Sequence, residues 1–160
     1  MLDLEKSGGT PIDLSIHDLD FIQYMLGQPD SVRGVYRKLK NNCDSITSEL
    51  FYGDTLVTAE GAWYSYKLPF TCTYSAVFEN GTLEYRGGKV YENGEEVALD
   101  AGKVIGDTGI NISGVGGYVG EIEYFASCVE RGEAPAVVTP DSSLASVRLV
   151  ERILENSVIL

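Results

Sequence analysis

Basic residues are scarce in this chain of 160 residues: 12 Lys and Arg stand against 24 Asp and Glu, which gives a formal net charge of −12. A nucleic-acid ligand requires Lys and Arg side chains to replace the counterions along its phosphates. The main basic cluster, Arg37, Lys38 and Lys40, lies at the end of a predicted strand, where charged side chains protect a sheet edge. We therefore expect no nucleic-acid partner.

Cysteine and histidine are also scarce. The three cysteines, Cys43, Cys72 and Cys128, form no C-x-x-C motif, which argues against a zinc ribbon or a redox-active dithiol. The single histidine has no ligand set of metal-binding spacing around it, so no metal site is predicted. We also expect no signal peptide, because residues 2–6 alternate apolar and charged side chains. Without a run of 18 apolar residues, no membrane segment is expected. These absences favour a protein of the reducing cytoplasm.

A dinucleotide-binding fingerprint is missing as well. The glycine cluster at 114–120 resembles G-x-G-x-x-G, but a motif that begins at Gly114 requires a glycine where Val119 stands. The fingerprint also requires a strand–turn–helix–strand unit, whereas the following residues predict helix, loop and helix. We interpret the cluster as a flexible loop and predict no cofactor-binding unit in this chain.

An amphipathic helix is predicted near the start of the chain, because apolar residues recur at helical spacing between Leu14 and Leu26. Gly27 and then Pro29 predict its end, since glycine favours the position after a helix and proline cannot continue one. Asp13 stands at the beginning, where a carboxylate is suited to cap backbone N–H groups.

Strands and further helices follow in separate blocks. Residues 31–99 predict an antiparallel meander with tight turns at Asn80-Gly81, Gly87-Gly88 and Asn93-Gly94. One helix is predicted over Glu121 to Glu130. Another begins at Pro140, with an apolar side made of Leu144, Val147, Val150 and Leu154. The segregation predicts a single α+β domain over residues 1–160: an open, mostly antiparallel β-sheet with helices packed on one face.

His17 is the one candidate for acid–base chemistry. It lies four residues after Asp13 and three before Asp20, and residues four apart share a helix face. Asp13 is thus placed to orient the imidazole, whose charge changes in the physiological pH range and suits it to accept a proton from an alcohol. Spacing alone leaves open, and favours, a simpler interpretation in which Asp13 is a helix cap and His17 a surface or core residue.

Aromatic residues are frequent in the predicted strands: Trp63, Tyr64, Tyr66, Tyr74 and Tyr85. Side chains that are apolar with one polar tip suit both a carbohydrate platform and a half-buried sheet face. We favour a sheet face used for subunit packing.

Two sequence blocks carry a resemblance to a known family. The first is Gly8-Gly-Thr-Pro-Ile-Asp13-Leu-Ser-Ile-His17-Asp-Leu-Asp20, followed by Leu26-Gly27-Gln-Pro29-Asp-Ser-Val32. The second is Glu121-Ile-Glu-Tyr-Phe125-Ala-Ser-Cys128, followed by Gly132-Glu-Ala-Pro135 and then by Asp141. In order and spacing, over nearly the whole chain, these blocks resemble the C-terminal domain of the glucose–fructose oxidoreductase, inositol dehydrogenase and rhizopine-catabolism family (Gfo/Idh/MocA).

The resemblance implies a fold, a cofactor and partners. Members of that family have an N-terminal Rossmann domain that binds NAD or NADP. Their C-terminal domain, similar to that of dihydrodipicolinate reductase, shapes the substrate pocket and commonly builds homo-oligomers through its sheet face. The resemblance therefore implies that NAD or NADP binds to the Rossmann domain of a parent protein and not to this chain. The implied substrate is a sugar, polyol or sugar acid.

The resemblance also implies site residues. The histidine of the family's D-x-x-x-H motif accepts a proton, so His17 is the expected general base, with Asp13 as its partner or as an acceptor for a substrate hydroxyl. Asp20 matches an acidic position after the histidine, where a more structural role is expected. Asp20 and Tyr118 are the candidate substrate-binding residues.

The chain departs from the family pattern at its beginning. The Rossmann glycines and the lysine of the family's Glu-Lys-Pro motif are absent. Glu5-Lys6-Ser7 mimics that motif but lies too close to Asp13, so the match is rejected. The first strand of the domain is missing or short before Gly8. We expect a piece of a longer enzyme that is inactive by itself. The alternative is a non-catalytic self-association or carbohydrate-binding module.

Overall fold

A computed structural model of the protein describes residues 4–64, 68–98 and 117–160. The chain divides into two compact units: unit 1 is Met1–Leu68 with Ala136–Leu160, and unit 2 is Pro69–Pro135. The helices are α1 (Leu4–Ser7), a π-helical segment (Pro11–Ser15), α2 (Ile16–Leu26), α3 (Gly117–Arg131) and α4 (Pro140–Glu155). The strands are β1 (Ser31–Lys38), β2 (Asp44–Tyr52), β3 (Thr55–Trp63), β4 (Tyr74–Phe78), β5 (Gly81–Arg86), β6 (Lys89–Glu92), β7 (Glu95–Val97) and β8 (Ser157–Ile159).

Unit 1 contains a four-stranded sheet in the order β3-β2-β1-β8. Strand β2 pairs antiparallel with both β1 and β3, whereas β8 pairs parallel with β1. Side chains alternate between the two faces, so that in β1 Val32 and Gly34 are buried while Arg33 and Val35 are exposed. This alternation is typical of a sheet that is covered on one face only.

Helices α2 and α4 supply the helical side of the core in unit 1. The buried cluster takes residues from both helices and from β1 and β2: Leu19, Val32, Ile46, Leu50, Leu149, Val150 and Ile153. Burial of one such side chain contributes about 1.5–3 kcal/mol. The cluster therefore fixes α2 on the inner face of the sheet.

The buried side of α4 differs from the predicted one. The helix begins after Thr139, whose side chain accepts a hydrogen bond from the backbone N–H of Ser142 at 3.1 Å. Its buried stripe is Ser146, Leu149, Val150 and Ile153, whereas Leu144 and Val147 are exposed. The prediction is confirmed for Val150 and Leu154, which lie in or against the core, and was wrong for Leu144 and Val147. Apolar residues lie on more than one side of this helix, and contact with the sheet selects which side is buried.

Unit 2 contains an antiparallel meander in the order β4-β5-β6-β7. Among the described residues the strands form two sheets rather than the predicted single one. The turns at Gly87-Gly88 and Asn93-Gly94 are confirmed, since all four residues have positive φ. The hairpin predicted at Asn80-Gly81 is present between β4 and β5, but its two-residue turn is Glu79-Asn80, one residue earlier, because Gly81 pairs with Phe78 in the ladder. A Cβ on Gly81 would lie 2.5 Å from Asn93 Oδ1, which accepts a hydrogen bond from the Thr82 N–H.

The predicted sheet-face aromatics divide between the two units. Tyr74 and Tyr85 stack across β4 and β5 with ring centroids 5.4 Å apart. Trp63 ends β3 in unit 1. Tyr66 and the glycines at 114 and 116 lie outside the described residues.

Candidate active site

A buried carboxylate anchors the beginning of the helical segment that carries the predicted site. Asp44, at the start of β2, is fully buried. Its Oδ2 accepts hydrogen bonds from the backbone N–H of Thr10 at 2.7 Å and from the Tyr36 hydroxyl at 2.9 Å, and its Oδ1 accepts one from the Thr10 hydroxyl at 2.6 Å. Hydrogen bonds to a charged group are stronger than neutral ones. This cluster of Asp44, Thr10 and Tyr36, the Asp44 anchor, holds Thr10 on the sheet.

Gly9 allows the chain to approach the Asp44 anchor. Its φ is +70°, and a Cβ at this position would lie 2.5 Å from Asp44 Oδ2 and 3.1 Å from the Tyr36 hydroxyl oxygen. A side chain would be strained by the backbone conformation and would also displace the carboxylate. The Gly-Gly-Thr-Pro turn seen in the sequence thus has a packing reason.

The Asp44 anchor also affects the titration of Tyr36. Burial, the hydrogen bond to Asp44 and the negative charge of that carboxylate together raise the pKa of Tyr36 to about 12. Each of these causes disfavours the phenolate, because it is poorly solvated and lies beside another negative charge.

We predict that this shift makes unit 1 less stable in strong alkali. A raised pKa in the folded state means that the stabilisation is fully present below about pH 10, the usual value for tyrosine, and is lost as the pH rises towards about 12. The free energy of unfolding of the wild type should therefore fall more steeply over that interval than that of Tyr36→Phe. Chemical denaturation at several pH values measures the difference in the free energy of unfolding between the two proteins. The titration of the lysines and of the other tyrosines contributes equally to both proteins and cancels in this difference. Parallel curves for the two proteins would contradict the prediction.

The helix that carries Asp13 and His17 begins earlier than predicted. Pro11–Ser15 is π-helical and continues directly into α2, which ends at Leu26 as predicted, with Gly27 at φ +78°. Asp13 is therefore inside the helical segment and is not its N-cap. The cap prediction was wrong because the Asp44 anchor starts the helix at Pro11. Wide turns of this kind are frequent at functional sites.

Trp63 is the partner of Asp13. The indole Nε1–H donates a hydrogen bond to Asp13 Oδ2 over 3.2 Å, and both residues are half-buried. Gly61, two residues earlier in β3, makes room for this approach, since a Cβ there would overlap Ser15 Oγ and lie 3.1 Å from Thr10 Cγ2. No local pattern in the sequence predicts this contact, because the two residues are 50 positions apart.

His17 is exposed on α2. In the described part of the chain no hydrogen bond joins it to Asp13. Its electrostatic neighbour is Asp18: desolvation raises the pKa of that carboxyl, and the positive charge of His17 acts in the opposite direction. The roles of His17 and Asp13 stay predictions.

Asp20 connects α2 to α4. Its carboxylate accepts a hydrogen bond from the buried Ser146 hydroxyl, which also accepts one from Gln23 Nε2 at 3.2 Å. This contact agrees with the structural role expected for Asp20, and its binding of substrate stays a prediction. Tyr118 lies in α3 of unit 2, and its side chain is outside the described residues.

Comparison with known proteins decides the family. A family model described as "Oxidoreductase family, C-terminal alpha/beta domain" of the Gfo/Idh/MocA type matches residues 2–109. The chain belongs to the Gfo/Idh/MocA oxidoreductase family. The residues matched to this family include Asp13, His17, Asp44 and Trp63, while Tyr118 lies beyond them. No curated protein matches the chain.

A solved structure confirms the α+β fold predicted for this Gfo/Idh/MocA domain. The biliverdin reductase of Synechocystis sp. PCC 6803, in complex with biliverdin and NADP+, superposes with a TM-score of 0.70 at 12% sequence identity. The match covers 96% of this chain and 48% of the reductase chain. The chain thus spans about half the length of the solved structure that it matches.

The described residues of this Gfo/Idh/MocA domain do not fit a resident dinucleotide. Such a cofactor binds where a strand, a glycine-rich turn and a helix follow one another in a parallel sheet. The parallel pair in the described sheets is β1 with β8, and the helix before β8 begins at a capped Thr139 without such a turn. In the same residues no group of three or more His, Cys, Asp or Glu side chains is arranged to hold a metal ion. None of the described helices has the length and apolar character needed to cross a membrane.

Proposed function

We propose that this domain binds the substrate and mediates oligomerisation in an NAD(P)-dependent dehydrogenase that acts on a sugar, polyol or sugar acid. The cofactor would be held by a dinucleotide-binding domain elsewhere in the protein. The observation that carries the proposal is the placement of the D-x-x-x-H pair, Asp13 and His17, on a helix whose start is anchored by Asp44. A cytoplasmic location fits the free thiols of Cys43 and Cys128.

His17 is the proposed base for the substrate hydroxyl. Its imidazole is exposed on α2, so a substrate reaches it without rearrangement of the core. An imidazole changes its charge in the physiological pH range, and a positioned base of this kind contributes about 10²–10⁴-fold to a rate. Asp13, one turn earlier, supplies a carboxylate for a second substrate hydroxyl or for the imidazolium.

The outer face of the unit 1 sheet supports the proposed homo-oligomer. This face carries exposed aliphatic side chains, Val35 in β1 and Leu56 in β3 among them, and Leu56 is 55% exposed. Self-association through this face is also the alternative function if the protein is not an enzyme. Sedimentation at increasing concentration tests it, and a monomer throughout would contradict the oligomer.

An activity panel on the full-length protein tests the enzymatic proposal. Secondary alcohols of sugars, polyols and sugar acids are offered with NAD+ or NADP+, and the reduced nicotinamide is followed by absorbance. We expect oxidation of at least one alcohol. Residues 1–160 alone should show no activity and no calorimetric binding of NAD or NADP. Micromolar binding to residues 1–160 would contradict the division between domains, and turnover of biliverdin without any alcohol would contradict the substrate class.

A further inference from the structure

Two side chains from neighbouring strands hold the segment that carries Asp13. Asp44 and Trp63 are paired in register at one end of the β2–β3 ladder. Asp44 accepts the backbone N–H and the hydroxyl of Thr10, while the Trp63 indole donates to Asp13 Oδ2 at 3.2 Å. The segment is therefore held at Thr10 through the backbone and, three residues later, through the Asp13 side chain.

We propose that Trp63 is a positioning residue for Asp13, a role that rests on the function proposed above. The indole N–H is a donor only, so it can bind the carboxylate but cannot exchange a proton with the substrate. Its bond engages one carboxylate oxygen. In the described part of the chain the other oxygen, Oδ1, accepts no hydrogen bond. Trp63 thus fixes which oxygen of Asp13 is presented to a substrate hydroxyl or to the imidazole of His17.

The position of Trp63 explains why an indole rather than a phenyl ring ends β3. A phenyl ring supplies similar apolar contact but no donor. A half-buried carboxylate without a donor loses stabilisation and is no longer held in one orientation. Trp63→Phe therefore removes the hydrogen bond while keeping an aromatic ring in place, so it tests the bond separately from the packing.

The hydrogen bond has a direct spectroscopic readout, because Trp63 is the one tryptophan of the 160-residue chain. The protein is labelled with ¹⁵N at tryptophan, and its indole N–H gives a single cross-peak, which Trp63→Phe removes and so assigns. Asp13→Ala should move this peak upfield and speed the exchange of its proton with water. Asp13→Asn keeps the size of the side chain and should move the peak less, in the same direction. Asp18→Ala, five residues away on the same helical segment, should leave it in place.

The kinetic readout is taken on the full-length protein. Trp63→Phe should lower kcat roughly tenfold, the factor that a hydrogen bond to a charged group typically carries, while the KM for the nicotinamide cofactor stays unchanged. A change that merely loosened the fold would lower the amount of active enzyme and the thermal midpoint, and would leave kcat per folded molecule unaltered.

Failure of this inference is distinguishable from failure of the proposed function. If the indole cross-peak keeps its position in both Asp13 variants, Trp63 does not position Asp13. The same conclusion follows if Trp63→Phe keeps full kcat while His17→Asn is inactive. If His17→Asn keeps its turnover, the proposed function fails, whatever the indole peak shows.

Discussion

His17→Asn in the full-length protein is expected to lower kcat for the alcohol substrate by about 10²–10⁴-fold, the usual contribution of a positioned general base. Asparagine has a similar shape to imidazole but does not take up a proton. Binding of the nicotinamide cofactor should be retained, because the proposed function places the cofactor on a different domain. Steady-state kinetics with separate titration of the cofactor measures both quantities. The rise of kcat/KM with pH that a histidine base produces should also disappear.

Substitutions of the two carboxylates near His17, Asp13 and Asp18, show whether the histidine acts together with Asp13. Asp13→Asn should lower kcat more than Asp18→Asn does, although Asp18 is the residue whose pKa responds to the charge of His17. Tyr24→Phe is a matched control on the same helix, since Tyr24 is 73% exposed and remote from the anchored end. Wild-type turnover in His17→Asn would exclude the proposed base.

Asp44→Ala is expected to destabilise unit 1 by about 3 kcal/mol or more, since each buried donor left without an acceptor costs about 1–3 kcal/mol. The substitution removes the side-chain acceptor of the Thr10 N–H, the Thr10 hydroxyl and the Tyr36 hydroxyl together. The Thr10 hydroxyl keeps only the backbone carbonyl of residue 44, at 3.2 Å. Chemical denaturation followed by the fluorescence of Trp63 reports on unit 1, because Trp63 is the one tryptophan and lies in β3 of that unit.

Two further variants provide a scale for the loss of stability expected in Asp44→Ala. Thr10→Val removes one donor while keeping the shape of the side chain, and should cost about 1 kcal/mol. Asp54→Ala changes an exposed aspartate in the turn between β2 and β3, and should stay within about 0.5 kcal/mol of the wild type. If Asp44→Ala lowered the free energy of unfolding no more than Thr10→Val does, the hydrogen bonds of the Asp44 anchor would not act together.

Local sequence signals predicted the parts of the fold that local physics decides. The helix that ends at Gly27 follows from apolar spacing and a glycine stop, and the turn at Asn93-Gly94 follows from the positive φ that these residues accept. Strand β8 was not predicted, because its three residues carry too little alternation to be recognised. It is defined by its parallel register with β1, in which Gly34 pairs with Ser157.

The candidate site was predicted only in part, for the same reason. Asp13 and His17 stand close together in the sequence and form a recognisable pattern. The residues that hold them do not: Asp44 is 34 positions from Thr10, and Trp63 is 50 positions from Asp13. Their contacts depend on the pairing of β2 with β3, and no periodicity in one segment encodes which distant residue will lie opposite it.

The core of unit 1 has a consequence for the order of events during synthesis. Leu19 and Val32 emerge early from the ribosome, whereas Leu149 and Ile153, which complete the same cluster, emerge more than a hundred residues later. Contacts such as Arg152 with the Pro29 carbonyl span 123 positions. Closing so large a loop is slow, and the apolar face of the sheet stays open to unwanted contacts until α4 arrives. The core of unit 1 is therefore completed only after its last long helix has left the ribosome.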